Sequence, residues 1–137
     1  MSSLPTLHTK DPTRFSLPLA DGLEVSRLAL GCMHFGGSWE SGSEIASSAR
    51  DAARSALATA LELGWNFFDH ADIYGRGRSE IVFGELLGEL GVDRASIILQ
   101  SKCGICLPVD PPPGLPRWYD FSREHSLRSV EGILQRL

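Results

Sequence analysis

The 137-residue sequence contains no apolar run of about 18 residues, the length a membrane-spanning helix requires. Its first residues, "MSSLPTLHTKDPTRF", lack the apolar centre of a secretory signal. Basic clusters are missing as well. With 13 Lys and Arg against 17 Asp and Glu, the chain has a formal charge of −4 and a pI near 5.5, which argues against a nucleic-acid or anionic-membrane surface. Cysteine is scarce and odd in number, at positions 32, 103 and 106, so no disulfide framework is expected. These absences together point to a cytoplasmic protein with neither nucleic acid nor membrane as partner. What is present is the length of one ordinary domain and a hydrophobic fraction of 42%, enough for a packed core.

Residues 1–14 are polar, carry two prolines and are expected to form a loose arm. In "FSLPLADGLEVSRLALG", Phe15, Leu17 and Leu19 alternate, Asp21-Gly22 interrupts, and Leu23 and Val25 resume, which predicts a β-hairpin with Pro18 on an edge strand. From Ala49 the apolar positions Ala52, Ala53, Ala56, Leu57, Ala60 and Leu61 follow at alternating intervals of three and one. Arg50, Asp51, Arg54 and Glu62 fall elsewhere, so one stripe of an amphipathic helix is expected, stopped by Gly64.

The short aromatic "WNFFD" reads as a strand, and a second helix is expected from Ser79 with Phe83, Leu86, Leu87 and Leu90 on one face. Gly84 and Gly88 lower its intrinsic helicity and require a packing reason. "SIILQSK" reads as another buried strand. The prolines of "CGICLPVDPPPGLPRWYDF" are expected to exclude regular structure there. "SREHSLRSVEGILQRL" places Leu127, Val130, Leu134 and Leu137 at helical spacing behind Ser122 as N-cap. No tandem repeat is visible. A hairpin followed by β, α, β, α, β, α implies an α/β fold with a parallel sheet and covering helices.

In such a sheet all strand ends point one way, so Asp69 to Tyr74 and Ser101 to Lys102 converge although about 28 residues separate them. The chemistry of those side chains is specific. A free phenol, with a pKa near 10, is a poor proton donor at neutrality. An ammonium about 4 Å away contributes roughly 4 kcal/mol to stabilising its anion at an effective dielectric near 20. Asp69 would keep Lys102 charged and fixed in place, so Asp, Tyr and Lys make a general acid aimed at a carbonyl oxygen.

The strings "DHADIYGRGRSE" and "SKCGI" resemble the aldo-keto reductase superfamily, and most closely its bacterial members whose second strand also ends in "DHADIYG". "LGCMHFGG", residues 30–37, resembles the family's first-strand turn, and the N-terminal hairpin resembles the one that closes the barrel floor. The resemblance runs from about residue 15 onward. It implies the N-terminal portion of a (β/α)8 TIM barrel and reduction of an aldehyde or ketone with NADPH. Tyr74 would be the proton donor, tuned by Lys102 and Asp69, and Gly31, Cys32, Met33 and Asp69 would lie beside the cofactor. The implied partner is a small carbonyl substrate. No metal is implied.

The family's fourth catalytic member is a histidine ending the fourth strand, and none of His8, His34, His70 or His125 stands there. A closed barrel needs eight strands and about 250 residues, against three expected here. Residues 15–137 are therefore read as the front part of such a domain, ending before the fourth strand and not competent alone. A non-catalytic accessory subunit, as some members of this superfamily are for potassium channels, is the alternative reading.

Other motifs have plainer explanations. "CGIC", residues 103–106, suits a thiol redox centre only if a helix follows, and "LPVDPPPG" follows instead. "GRGRSE" has Glu80 where a dinucleotide fingerprint needs glycine, so Arg76 and Arg78 are expected on a solvated loop. Trp118 and Tyr119 are candidates for the wall of a substrate pocket, and His125 for the surface of its helix.

Overall fold

A computed structural model describes residues 16–40, 42–108 and 116–137. The arm 1–14, Phe15 and the cluster Pro111 to Pro113 lie outside the described residues. The hairpin is formed by β1 (Ser16–Ala20) and β2 (Leu23–Ser26), antiparallel and joined at Asp21-Gly22 as the alternation predicts. Its register shifts between Pro18 and Ala20, on the strand where a residue lacks its N–H. Leu17 and Leu19 are exposed and do not form a covered face, because the hairpin is a separate two-stranded sheet that docks through β2. There Asn66 accepts from the Ser26 N–H (2.7 Å) and donates to the Glu24 carbonyl (2.9 Å), which fixes the hairpin at the start of the next buried strand.

The central sheet is parallel, in the order β3 (Leu30–Gly31), β4 (Phe67–Asp69), β5 (Ile98–Gln100). Between β3 and β4 runs α1 (Ser47–Glu62), with Ala53, Leu57 and Ala60 buried and Gly64 in the left-handed region just past its end. Ala52, expected on the same stripe, is exposed at its margin. A 3₁₀ turn (Tyr74–Gly77) leads from β4 into α2 (Arg78–Glu89). Val82, Phe83, Leu86 and Leu87 of α2 pack on Phe68, Leu57 and Ile97 in the core. Full burial of side chains such as Phe68, Phe83, Leu57 and Leu86 contributes roughly 1.5–3 kcal/mol each.

The proline-rich segment is not wholly irregular. β6 (Ile105–Cys106) pairs antiparallel with β7 (Trp118–Tyr119), using residues on either side of the proline cluster that still have their N–H groups. α3 (Arg123–Arg136) follows, and Ser122 caps it by accepting from the His125 N–H at 3.2 Å. Leu127, Val130 and Leu134 are 45%, 46% and 75% exposed, so the stripe that predicts this helix is not covered among the described residues. Leu137, the next position of that stripe, packs against the core.

Of the two glycines of α2 that called for a packing reason, Gly84 has one. A Cβ there would collide with the Arg136 carbonyl at the end of α3. Gly88 has none, since nothing lies within 4 Å of the same construction. No helix among the described residues is long and apolar enough to cross a membrane.

Candidate active site

Strand register assembles the site. Gly31 of β3, Asp69 of β4 and Gln100 of β5 are mutual partners, one row across the C-terminal edge of the sheet. The backbone ladder continues past the strands through His70 N–H to Gln100 (2.8 Å) and Asp72 N–H to Lys102 (3.0 Å). Lys102, two residues beyond Gln100, is thereby brought back over Asp69. Its Nζ donates to Asp69 Oδ1 at 2.8 Å and to the His70 carbonyl at 2.5 Å. The same Nζ lies 5.0 Å from the centroid of the Tyr74 ring, within cation–π range. The expected trio of Asp69, Tyr74 and Lys102 is one cluster.

Burial opposes the charge on Lys102. Its bond to Asp69 and its contact with Tyr74 outweigh that loss, and the ammonium pKa is raised. Both partners keep some contact with solvent, so the pair serves more to hold position than to stabilise the fold. Trp39 meets the Tyr74 ring edge-on at 6.2 Å, and the turn bond from Tyr74 N–H to the Ala71 carbonyl (3.0 Å) holds the residue at the mouth of its loop.

Sequence reading missed Gln100, whose Nε2 donates to Asp69 Oδ1 at 2.8 Å, the same oxygen that Lys102 uses. The signal was available: alternate residues of a strand share a face, and Gln100 stands two before Lys102. Missed as well was Glu80, fully buried and bonded by Ser101 Oγ (2.6 Å) and Arg136 Nε (2.7 Å). Its partner lies 56 residues away, a distance that no local pattern spans.

The turn at residues 31–33 is divided in its exposure. Gly31 faces open space, with nothing within 4 Å of an added Cβ, and Met33 is 39% exposed. The Cys32 thiol instead points into the core, where burial, and after it the Asp69 carboxylate, push its pKa up to about 12. The backbone of Cys32 is engaged as well, its N–H donating to the Asp69 carbonyl (2.9 Å) and its carbonyl accepting from Phe35 N–H (3.1 Å), so the fully buried Cys32 does not border the open space as expected. The turn is tied to α2 by one hydroxyl: Ser79 Oγ accepts from Gly36 N–H (3.0 Å) and donates to the Met33 carbonyl (3.1 Å). Gly36 is needed for this approach, since a Cβ would stand 2.7 Å from the Ser79 nitrogen.

A cavity of about 300 Å³ opens beside Tyr74 and Lys102, walled by Ile73, Cys103, Ile105, Tyr119 and Phe121. Tyr119 lines this cavity, while Trp118 is half exposed and outside that lining. Cys103 and Cys106 are free thiols, and Cys106 stands in β6 with no helix over Leu107 and Pro108, the described residues that follow it. His125 is half-buried, not on the open surface, with Cys106 Sγ 3.9 Å from its Nε2. His70 is fully buried against Phe83, its ring nitrogens without a partner among the described residues, and burial lowers its pKa to about 4. Among the described residues no three His, Cys, Asp or Glu side chains group as metal ligands would.

A model of the Aldo/keto reductase family matches residues 27–137. An uncharacterized oxidoreductase of Mycobacterium tuberculosis is 40% identical over 97 residues, which cover 69% of this chain and 27% of that protein. The norsolorinic acid reductase of Emericella nidulans is 35% identical over 121 residues, covering 88% of this chain and 30% of the reductase. Among solved structures, the holo form of an aldo-keto reductase from Bacillus halodurans superimposes with a TM-score of 0.63 at 31% identity, over 84% of this chain and 33% of that one. The chain therefore spans about a third or less of the length of these relatives.

Proposed function

Because the chain belongs to the aldo/keto reductase family, we propose that it reduces an aldehyde or ketone to an alcohol with a nicotinamide cofactor, NADPH in preference to NADH. The observation that carries this reading is the Lys102 ammonium, bonded to Asp69 at 2.8 Å and lying over the ring of Tyr74 beside an open cavity.

A nicotinamide ring fits the open space in front of Gly31, with Asp69 next to it in the same row and Met33 exposed nearby. Gly31, Met33 and Asp69 would hold it, and the cofactor when bound supplies a hydride to the carbonyl carbon. Tyr74 gives its phenolic proton to the carbonyl oxygen as the C=O π electrons move onto that oxygen. Lys102 stabilises the phenolate left behind, and Asp69 keeps the ammonium charged and aimed. Ile73, Ile105 and Phe121 would give the substrate's carbon skeleton an apolar wall.

In the full-length protein, Tyr74→Phe is expected to abolish turnover of a carbonyl substrate while cofactor binding, followed by fluorescence titration, is retained. Unchanged turnover would remove Tyr74 from the mechanism. The 137 residues by themselves are read as inactive, because three parallel strands leave the catalytic row open on the side where a closed barrel has further strands. Turnover by the isolated 137 residues would overturn that part.

A further inference from the structure

A second cavity, of about 430 Å³, shares Asp72, Ile73 and Ile105 with the Tyr74 cavity and is closed on its other side by α3. His125, Arg128, Ser129, Gly132 and Arg136 line it at helical spacing, so one face of α3 looks into it. Apart from the shared Ile73 and Ile105, its lining takes no part in the carbonyl chemistry argued above.

Three arginines line it, Arg128 and Arg136 each tethered to a carboxylate through one nitrogen and Arg76 tethered through two. Arg136 binds the buried Glu80 through Nε at 2.7 Å. Arg128 binds Glu124 through Nη1 at 2.5 Å. Among the described residues Arg76 meets no carboxylate and donates to backbone carbonyls, Nε to Trp39 (3.3 Å) and Nη1 to Pro108 (2.8 Å). Among the described residues each keeps at least one terminal nitrogen without a partner. Five N–H donors in a rigid fork allow a guanidinium to be anchored on one side and to bind on the other.

The backbone has been shaped to this arrangement at two places. Arg76 is the one non-glycine among the described residues with positive φ (+59°), a conformation that L side chains disfavour. Gly132 stands in the middle of α3, where glycine is a poor helix former. A Cβ there would come within 2.9 Å of Arg136 Nη1. Among the described residues the one carboxylate in the wall is Asp72, disfavoured as an anion by burial and with its Oδ1 unpartnered.

We propose that this cavity binds a phosphate monoester, its phosphoryl group held by Arg76, Arg128 and Arg136 and its organic part set against Ile73, Ile105 and Leu107. One bidentate guanidinium satisfies a carboxylate, whereas three oxygens and up to two charges use the donors of all three. The cavity falls within the range of about 300–1,000 Å³ that accommodates an organic ligand, so the apolar residues have something to cover.

The test is titration of the full-length protein with phenyl phosphate, inorganic phosphate and benzoate at low salt, by calorimetry. Arg128→Gln is a surface change, and Arg76→Asn keeps a residue that tolerates the left-handed region, so both variants are expected to fold; circular dichroism checks it. Arg136 is left in place because it neutralises Glu80. The expected result is saturable one-to-one binding of phenyl phosphate, tighter than that of inorganic phosphate or benzoate and weakened about tenfold or more by either variant. Absence of saturation, equal binding of benzoate, or affinity unchanged in both folded variants would each overturn the proposal. None of these outcomes depends on Tyr74 being catalytic.

Discussion

His70 is enclosed without a hydrogen-bond partner among the described residues, and its pKa near 4 lies well below the usual imidazole value near 6.5. The sign follows from proton counting. Between those two pH values the unfolded chain takes up a proton that the folded chain refuses, so stability rises with pH across that window by about 3 kcal/mol. Urea midpoints of the full-length protein at about pH 4.5 and 6.5 should differ accordingly, and the difference should shrink in His70→Leu; an equal difference in both proteins would remove His70 as its source. Cysteine behaves differently at its three sites. The Cys32 thiol, at about 12 and fully buried, is expected to resist a chromogenic thiol reagent near pH 8 until the protein is denatured, while Cys103 and Cys106 react in the folded state. These residues were only partly legible in the sequence. That Asp69, Tyr74 and Lys102 come together could be expected because alternating strands and helices put strand ends on one side, while the roles assigned to them rest on the resemblance of "DHADIYGRGRSE" and "SKCGI" to a known family. The burial of His70 depends on Phe83, an element away, and no spacing shows that.

At the level of elements, the two glycines of α2 make opposite predictions. Gly84→Ala forces a methyl group onto the Arg136 carbonyl and should destabilise by roughly 1–3 kcal/mol. Gly88→Ala meets nothing and removes a flexible residue from a helix, so it should stabilise by up to about 1 kcal/mol. Thermal denaturation of both variants checks the pair, and the same sign for both would show that α2 and α3 are not packed as described. Helix periodicity placed α1, α2 and α3 closely, since an apolar stripe is a local property. It did not show that the stripe of α3 lies open at Leu127, Val130 and Leu134, because covering is a property of neighbours. The β6–β7 pair was hidden for a related reason. Two-residue strands leave no alternation to read, and the prolines between them mask the two short stretches that do pair.

For the molecule as a whole, Glu80 is the tie that matters most. Its carboxylate joins α2 to Ser101 past the end of β5 and to Arg136 near the end of α3. Arg136→Met leaves that buried charge without its cation and should cost about 3–5 kcal/mol, whereas Arg136→Met combined with Glu80→Gln should cost less than the single change. Chemical denaturation of the single and double variants measures both, and equal costs would mean that the charge of Glu80 is not what Arg136 neutralises. Ser79, its neighbour in the chain, carries a consequence of another kind. The turn that borders the Gly31 space takes its shape from a hydroxyl that lies 43 residues downstream of Gly36. A nascent chain therefore carries residues 31–37 without their final form until residue 79 has been added and α2 has docked. The segment made early is finished late, and a chain arrested at residue 75 should show the Gly36 amide exchanging its hydrogen as freely as in an unfolded peptide.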